Sequence, residues 1–146
     1  MTIDDGFDVD ASVERVWPLL CDIPKVAACI PNAAITEVVD ANTYRAKVAV
    51  KAGPVSVSYG VTIVVESLDA QSHTATLRVQ GDESRGRGGV RASVVTQATA
   101  VGASTHVSLH TEAQISGIIA TVGGRLIEGV AKRTVAEFAA NLAKLL

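Results

Sequence analysis

Apolar and polar residues follow two rhythms along this chain. Near the N-terminus, Val13, Val16, Trp17 and Leu20 recur at helical spacing. Ser12 precedes them as an N-cap residue type, and Glu14 sits in the first turn. A short strand from Ile3 to Val9 is expected before this helix, and a second helix from Lys25 to Cys29 after it, ended by Pro31. From residue 33 the period falls to two. Residues 33–39 read as a strand of unclear phase. Tyr44, Ala46, Val48 and Val50 then oppose Arg45, Lys47 and Lys51, and Gly53-Pro54 turns the chain. Val55, Val57, Tyr59, Val61, Ile63 and Val65 alternate with Ser56, Ser58, Gly60, Thr62 and Glu66. Three more strands follow the same rule. Their apolar sides carry Ala75, Leu77 and Val79, then Val90, Ala92 and Val94, then Val107, Leu109, Thr111 and Ala113. Turns at Asp69–Ser72, Gly81–Gly89 and Gly102-Ala103 separate them.

Such a meander has one wet and one dry face, and the dry face needs a cover. Residues from about 120 to 146 supply it, with an apolar stripe of Val122, Leu126, Val130, Phe138, Leu142 and Leu145. Glu128 and Lys132 are spaced to pair on the polar side. The expected architecture is a single α+β domain over residues 1–146. A curved seven-stranded antiparallel sheet wraps around one long C-terminal helix, in the order strand, two helices, six strands, helix.

Composition changes this picture in one respect. Hydrophobic residues make up 48% of the chain but aromatics only 3%, so Val, Ala, Leu and Ile must fill the interior. Hairpin order brings turns 52–54 and 81–89 to the sheet end where the last helix begins. That half of the helix region contains Gly117, Gly123, Gly124 and Gly129, while the far half contains Phe138 and Leu142. The near end is either a closely packed Val/Ala core or an apolar ligand cavity. The candidate lining is Trp17 and Leu20 from the first helix, and Val48, Val50, Val55, Val57, Tyr59 and Val61 from the central hairpin. Leu77, Val79, Ala92, Val94, Leu109 and Ala113 would continue it, with Ile118, Ile119, Val122 and Leu126 at the start of the last helix. Tyr59 is the one polar group on this face besides small hydroxyls, placed to bond a ligand carbonyl or its own backbone. Around the mouth, Lys51, Arg85, Arg87 and Arg91 are either solvated charges or a rim for an anionic membrane or acidic partner.

Several chemistries find no support. With 13 Lys and Arg against 15 Asp and Glu, no general nucleic-acid footprint is expected. His106 and His110 lie four apart on a strand, about 13 Å, too far to share a metal, and with His73 they read as surface residues. Cys21 and Cys29 read as reduced, small core residues. Gly86-Arg87-Gly88-Gly89 joins two strands and lacks a P-loop ending. No paired carboxylates fall on the dry face, so no catalytic residue is assigned and no enzyme is expected. The acidic start and the lack of a run of about 18 apolar residues imply a cytoplasmic protein.

Several motifs carry a resemblance. Val16-Trp17-Pro18-Leu19-Leu20-Cys21-Asp22 followed by Ala28-Cys29-Ile30-Pro31 resembles the start of the CoxG family of carbon monoxide dehydrogenase proteins. Lys51-Ala52-Gly53-Pro54-Val55 matches its Gly-Pro turn, and Gly86 and Gly88 its Gly-rich hairpin. Ile115-Ser116-Gly117-Ile118-Ile119-Ala120 and Gly124-Arg125-Leu126-Ile127 resemble its lead-in to the last helix. Asn32 departs from the pattern, standing where the family often has Gly. The resemblance implies the START/Bet v 1-like (SRPBCC) helix-grip superfamily, whose members hold apolar ligands between sheet and helix. Many members of the family also carry a C-terminal extension associated with the membrane. It further implies a partner, a molybdenum hydroxylase of the carbon monoxide dehydrogenase type. With no covalent cofactor, the expected cargo is a quinone such as menaquinone, or a lipid, carried for electron transfer at the inner face of the membrane. A polyketide-cyclase-like enzyme and an assembly or recruitment factor are the competing readings.

Overall fold

A computed structural model describes residues 1–146. The chain runs β1 (Thr2–Val9), α1 (Val13–Cys21), α2 (Ile23–Cys29), β2 (Ala33–Asp40), β3 (Thr43–Ala52), β4 (Val55–Asp69), β5 (Thr74–Glu83), β6 (Gly89–Val101) and β7 (Ser104–Ile115). A short 3-10 helix, Ile118–Val122, leads into α3, Gly124–Ala143. The seven strands form one antiparallel sheet in the order β1-β7-β6-β5-β4-β3-β2, so β1 closes onto the last strand. This is the helix-grip architecture expected from the alternation. Register shifts between Val65 and Ser67 on β4, and twice on β2, are the bulges that help a sheet of this length to curve.

The helical caps differ from one another. Ser12 caps α1 through its carbonyl, which accepts from Arg15 N and Val16 N at 3.0 Å, and its side chain takes no part. Asp22 does cap α2: its Oδ1 accepts from Lys25 N at 3.1 Å. The second helix therefore begins at Ile23, two residues before the expected Lys25. Asn32 has φ 61°, in the left-handed region that favours glycine, and asparagine is among the residues that best tolerate it.

The interior divides along α3. At its C-terminal half, Phe138 and Leu142 pack with Val9, Val16, Leu20, Ala98 and Val107, and Phe7 meets Phe138 edge-on at 5.8 Å. Complete burial of Leu142 contributes about 1.5–3 kcal/mol. Asn141 Nδ2 donates to Cys29 O at 2.9 Å and ties this end of α3 to α2. A second cluster, around Ala46, Val57, Tyr59, Val61 and Ile119, lies at the other end.

The stripe on α3 requires correction. Leu126 is 38% exposed and Leu145 55% exposed. The face turned inward is Ile127, Val130, Ala131, Thr134, Val135, Phe138 and Leu142, spaced at three and four. The chain breaks at Gly123 between the 3-10 helix and α3, so the phase set at Val122 does not continue into the helix. Glu128 and Lys132 form no ion pair; those present include Arg78 with Glu66 and Arg87 with Glu83.

Candidate functional site

Between sheet and helices lies an apolar cavity with two lobes. The wide lobe encloses about 390 Å³, and all 18 of its lining residues are hydrophobic. Strands β3 and β4 contribute Ala46, Val48, Val50, Tyr59, Val61 and Ile63, the 3-10 helix contributes Ile119, and α3 contributes Ile127, Val130 and Ala131. The narrow lobe, about 230 Å³, is bounded by Leu20, Leu77, Val94, Leu109, Phe138 and the hydroxyl-bearing Thr96 and Thr134, among others. Ala27, Ile30, Ile63 and Val79 line both lobes and mark where they meet.

Ten residues expected on the wall are there: Leu20, Val48, Val50, Tyr59, Val61, Leu77, Val79, Val94, Leu109 and Ile119. Eight are not. Trp17 turns away and packs against His73, with ring centroids 5.5 Å apart and ring planes tilted by 58°. His73 is accordingly half-buried, with φ 52°, rather than a plain surface residue. Val55, Val57, Ile118 and Val122 pack in the same cluster as Ala46, Tyr59 and Ile119 but are not on the wall of either lobe. Ala92 and Ala113 pair across β6 and β7, but neither lies on the wall of either lobe. Leu126 sits instead over the β3–β4 turn, where its Cδ2 would lie 2.9 Å from a Cβ added to Gly53.

The contribution of α2 is not among the residues expected from the pattern. Ile23, Val26, Ala27 and Ile30 face the cavity at helical spacing. That signal is present in the sequence, but a helix begun at Lys25 hides its first member. Ile3, Val90 and Ile115 complete the wide lobe from β1, β6 and the end of β7.

The expected basic rim separates into three environments. Lys51 and Arg85 are exposed and border a polar groove with Asn32, Ser56, Ser58 and Ser84. Arg91 lies on the outer face beside Arg78, Gln80 and Gln114, away from the cavity. Arg87 is no free rim charge, since its Nε donates to Glu83 Oε1 at 2.8 Å. Glu83 is 3% exposed, and it also accepts from Arg85 N at 3.0 Å and Arg87 N at 3.1 Å. The Arg87 guanidinium, with these backbone donors, holds the Glu83 carboxyl down at about 2. Across the β4–β5 pairing, Tyr59 stands opposite Glu83. Burial first, then the Glu83 charge, pushes the Tyr59 phenol up, with Arg87 opposing. Burial also raises both thiols, Cys21 and Cys29, which disfavours the nucleophilic thiolate.

The sequence profile of the carbon monoxide dehydrogenase CoxG family matches residues 6–146. The chain belongs to the CoxG family. Among solved structures, this CoxG-family chain is similar to a conserved protein from Geobacillus kaustophilus, with 25% identity and a TM-score of 0.87 over 99% of this chain and 93% of that one. It also resembles the Zhui aromatase/cyclase from Streptomyces sp. R1128, at 15% identity and TM-score 0.67, covering 99% and 92% of the two chains. A START superfamily protein from Mycobacterium smegmatis aligns at 14% identity and TM-score 0.62, covering 98% and 94%. These likenesses place the fold in the START class. No curated protein matches the chain. No helix is long and apolar enough to cross a membrane.

Proposed function

We propose that this CoxG-family protein is a non-enzymatic carrier of an apolar ligand, a membrane quinone such as menaquinone, for electron transfer from a molybdenum hydroxylase of the carbon monoxide dehydrogenase type. The observation that carries the reading is the two-lobed cavity, whose wide lobe is lined by hydrophobic residues throughout. An elongated apolar molecule gains from burial against such walls at about 25 cal/mol per Å² of apolar surface removed from water. The carrier would work in the cytoplasm and at the inner face of the membrane, with Lys51 and Arg85 as the charges free to meet an acidic surface.

The same fold serves the Zhui aromatase/cyclase and norcoclaurine synthase from Thalictrum flavum, so the fold alone does not choose between carrying and catalysis. The wall chemistry favours carrying: its polar side chains are one phenol and two threonine hydroxyls, weak acids and bases near neutrality. Organic extracts of purified protein, read by mass spectrometry, test the proposal together with melting in added menaquinone. A co-purified quinone or lipid and a raised melting temperature are expected. Extracts free of lipid, with no shift from menaquinone or fatty acids, would overturn it.

A further inference from the structure

We propose that the ligand's oxygen-bearing head lies in the narrow lobe, where the Thr96 hydroxyl donates a hydrogen bond to an uncharged carbonyl oxygen, and that its apolar tail fills the wide lobe. The inference rests on the carrier reading and adds the class of head group and the ligand's orientation. The wide lobe offers an oxygen no partner, since all its lining residues are hydrophobic. Tyr59, expected to bond a ligand carbonyl or its own backbone, does neither, because its hydroxyl is fully buried and unpartnered. A quinone oxygen left in this lobe would lose its water and gain no hydrogen bond.

The narrow lobe differs. Thirteen of its 15 lining residues are hydrophobic, and the other two are Thr96 and Thr134. The Thr134 hydroxyl spends its hydrogen on Val130 O, at 2.8 Å. Thr96 stands on the inner face of β6, paired with Ala75 on β5 and Leu109 on β7. Its hydroxyl bonds no protein group and, unlike that of Tyr59, is not sealed in. It therefore keeps a free hydrogen for a molecule in the lobe. No charged side chain lines either lobe, so a carboxylate or phosphate head would be buried without a cation. A carbonyl oxygen accepts a hydrogen bond and brings no charge. Phe138, the one aromatic ring on this lobe's wall, suits a flat head. From there a tail passes Ile63 and Val79, which line both lobes, into the wide lobe.

Thr96→Val keeps the shape of the side chain and removes the hydroxyl. Three probes are titrated: menaquinone-4, menadione, which is the same head without a tail, and the menaquinone-4 analogue lacking both carbonyl oxygens. Thr96→Val should bind both quinones about three- to tenfold more weakly, and the analogue as well as the unmodified protein does. Thr96→Ser, which keeps the hydroxyl, should hold menaquinone-4 within about twofold of the unmodified protein. The carbonyl stretch of bound menaquinone-4 should rise in the infrared spectrum of Thr96→Val. Ligand-free Thr96→Val should melt at the same or a higher temperature, since it loses only an unpaired hydroxyl. Unchanged affinity for either quinone, or an equal loss for the analogue, would overturn the anchor and leave the carrier reading intact, as would a marked fall in the melting temperature of ligand-free Thr96→Val. Failure of the unmodified protein to bind either quinone would overturn both.

Discussion

Gly88 and Gly117 meet backbone to backbone. A Cβ on Gly117 would lie 1.8 Å from Arg87 O and 2.4 Å from Gly88 Cα, and one on Gly88 would lie 2.1 Å from Ser116 O. Both have positive φ, 132° and 86°. Ile118 N donates to Arg87 O at 2.9 Å, and Gly89 N donates to Ser116 Oγ at 3.1 Å. The β5–β6 loop is thus joined to the 3-10 helix that places Ile119 on the cavity wall. Gly117→Ala should destabilise the protein by about 3–5 kcal/mol in urea titration, combining overlap with strain. Gly86→Ala is the control: its φ is 75° but the space around it is open, so about 1–2 kcal/mol is expected. Equal costs would show that the close approach has no energetic weight.

Filling the cavity separates a hollow from a packed interior. Ala131 points from α3 into the wide lobe. Ala131→Phe should change stability by less than about 1 kcal/mol and abolish menaquinone uptake, whereas in a packed core it would cost roughly 1–3 kcal/mol. Thermal melting and ligand titration read the two effects. Ala92, though on the inner face, lies off the wall and is not the site for this test.

Acid should weaken the protein through Glu83. Its pKa is depressed from 4.5 to about 2, so its contribution is present above 4.5 and is lost as pH falls toward about 2. Glu83→Gln should be less stable near neutrality and should show a shallower loss of stability across that window. An unchanged acid profile would show that the ion pair contributes nothing.

The alkaline side carries the opposite sign. His110 Nδ1 pairs with Asp4 on β1, and its Nε2 lies 3.5 Å from Glu112 Oε1; these partners, Asp4 first, raise its pKa above 6.5. A raised pKa gives stability that is complete below 6.5 and is lost as pH rises through the raised value. His110→Gln should flatten the decline in urea midpoint as pH rises above 6.5. The pair sits in solvent, so the effect should be small and should shrink with salt.

The arginines of the β5–β6 loop should not behave alike. Lys51→Ser with Arg85→Ser should leave the melting temperature unchanged, as both side chains are exposed. Arg87→Ser should lower it, because Glu83 would keep its burial and lose its cation. If anionic liposomes or the partner enzyme bind through this end, the Lys51/Arg85 variant should bind more weakly at low salt. Undiminished binding would remove those two charges from the docking surface.

Period-two alternation from Tyr44 to Ala113 was enough to read the five strands β3 to β7, because each Cβ direction on a strand follows from the residue before it. The same rule singled out Tyr59 as the phenol on the apolar face. It could not say which inward residues reach empty space. That depends on how α3 is rotated against the sheet, which the break at Gly123 resets, turning Ile127 inward and Leu126 out to the Gly53 turn. Nor is it local that Arg87 folds back on Glu83, or that Trp17 leaves the cavity to pack against His73. A cavity is the volume left when elements distant in sequence stop approaching one another. Its walls were therefore decided by tertiary packing, while the sequence pattern had already determined the faces from which they are built.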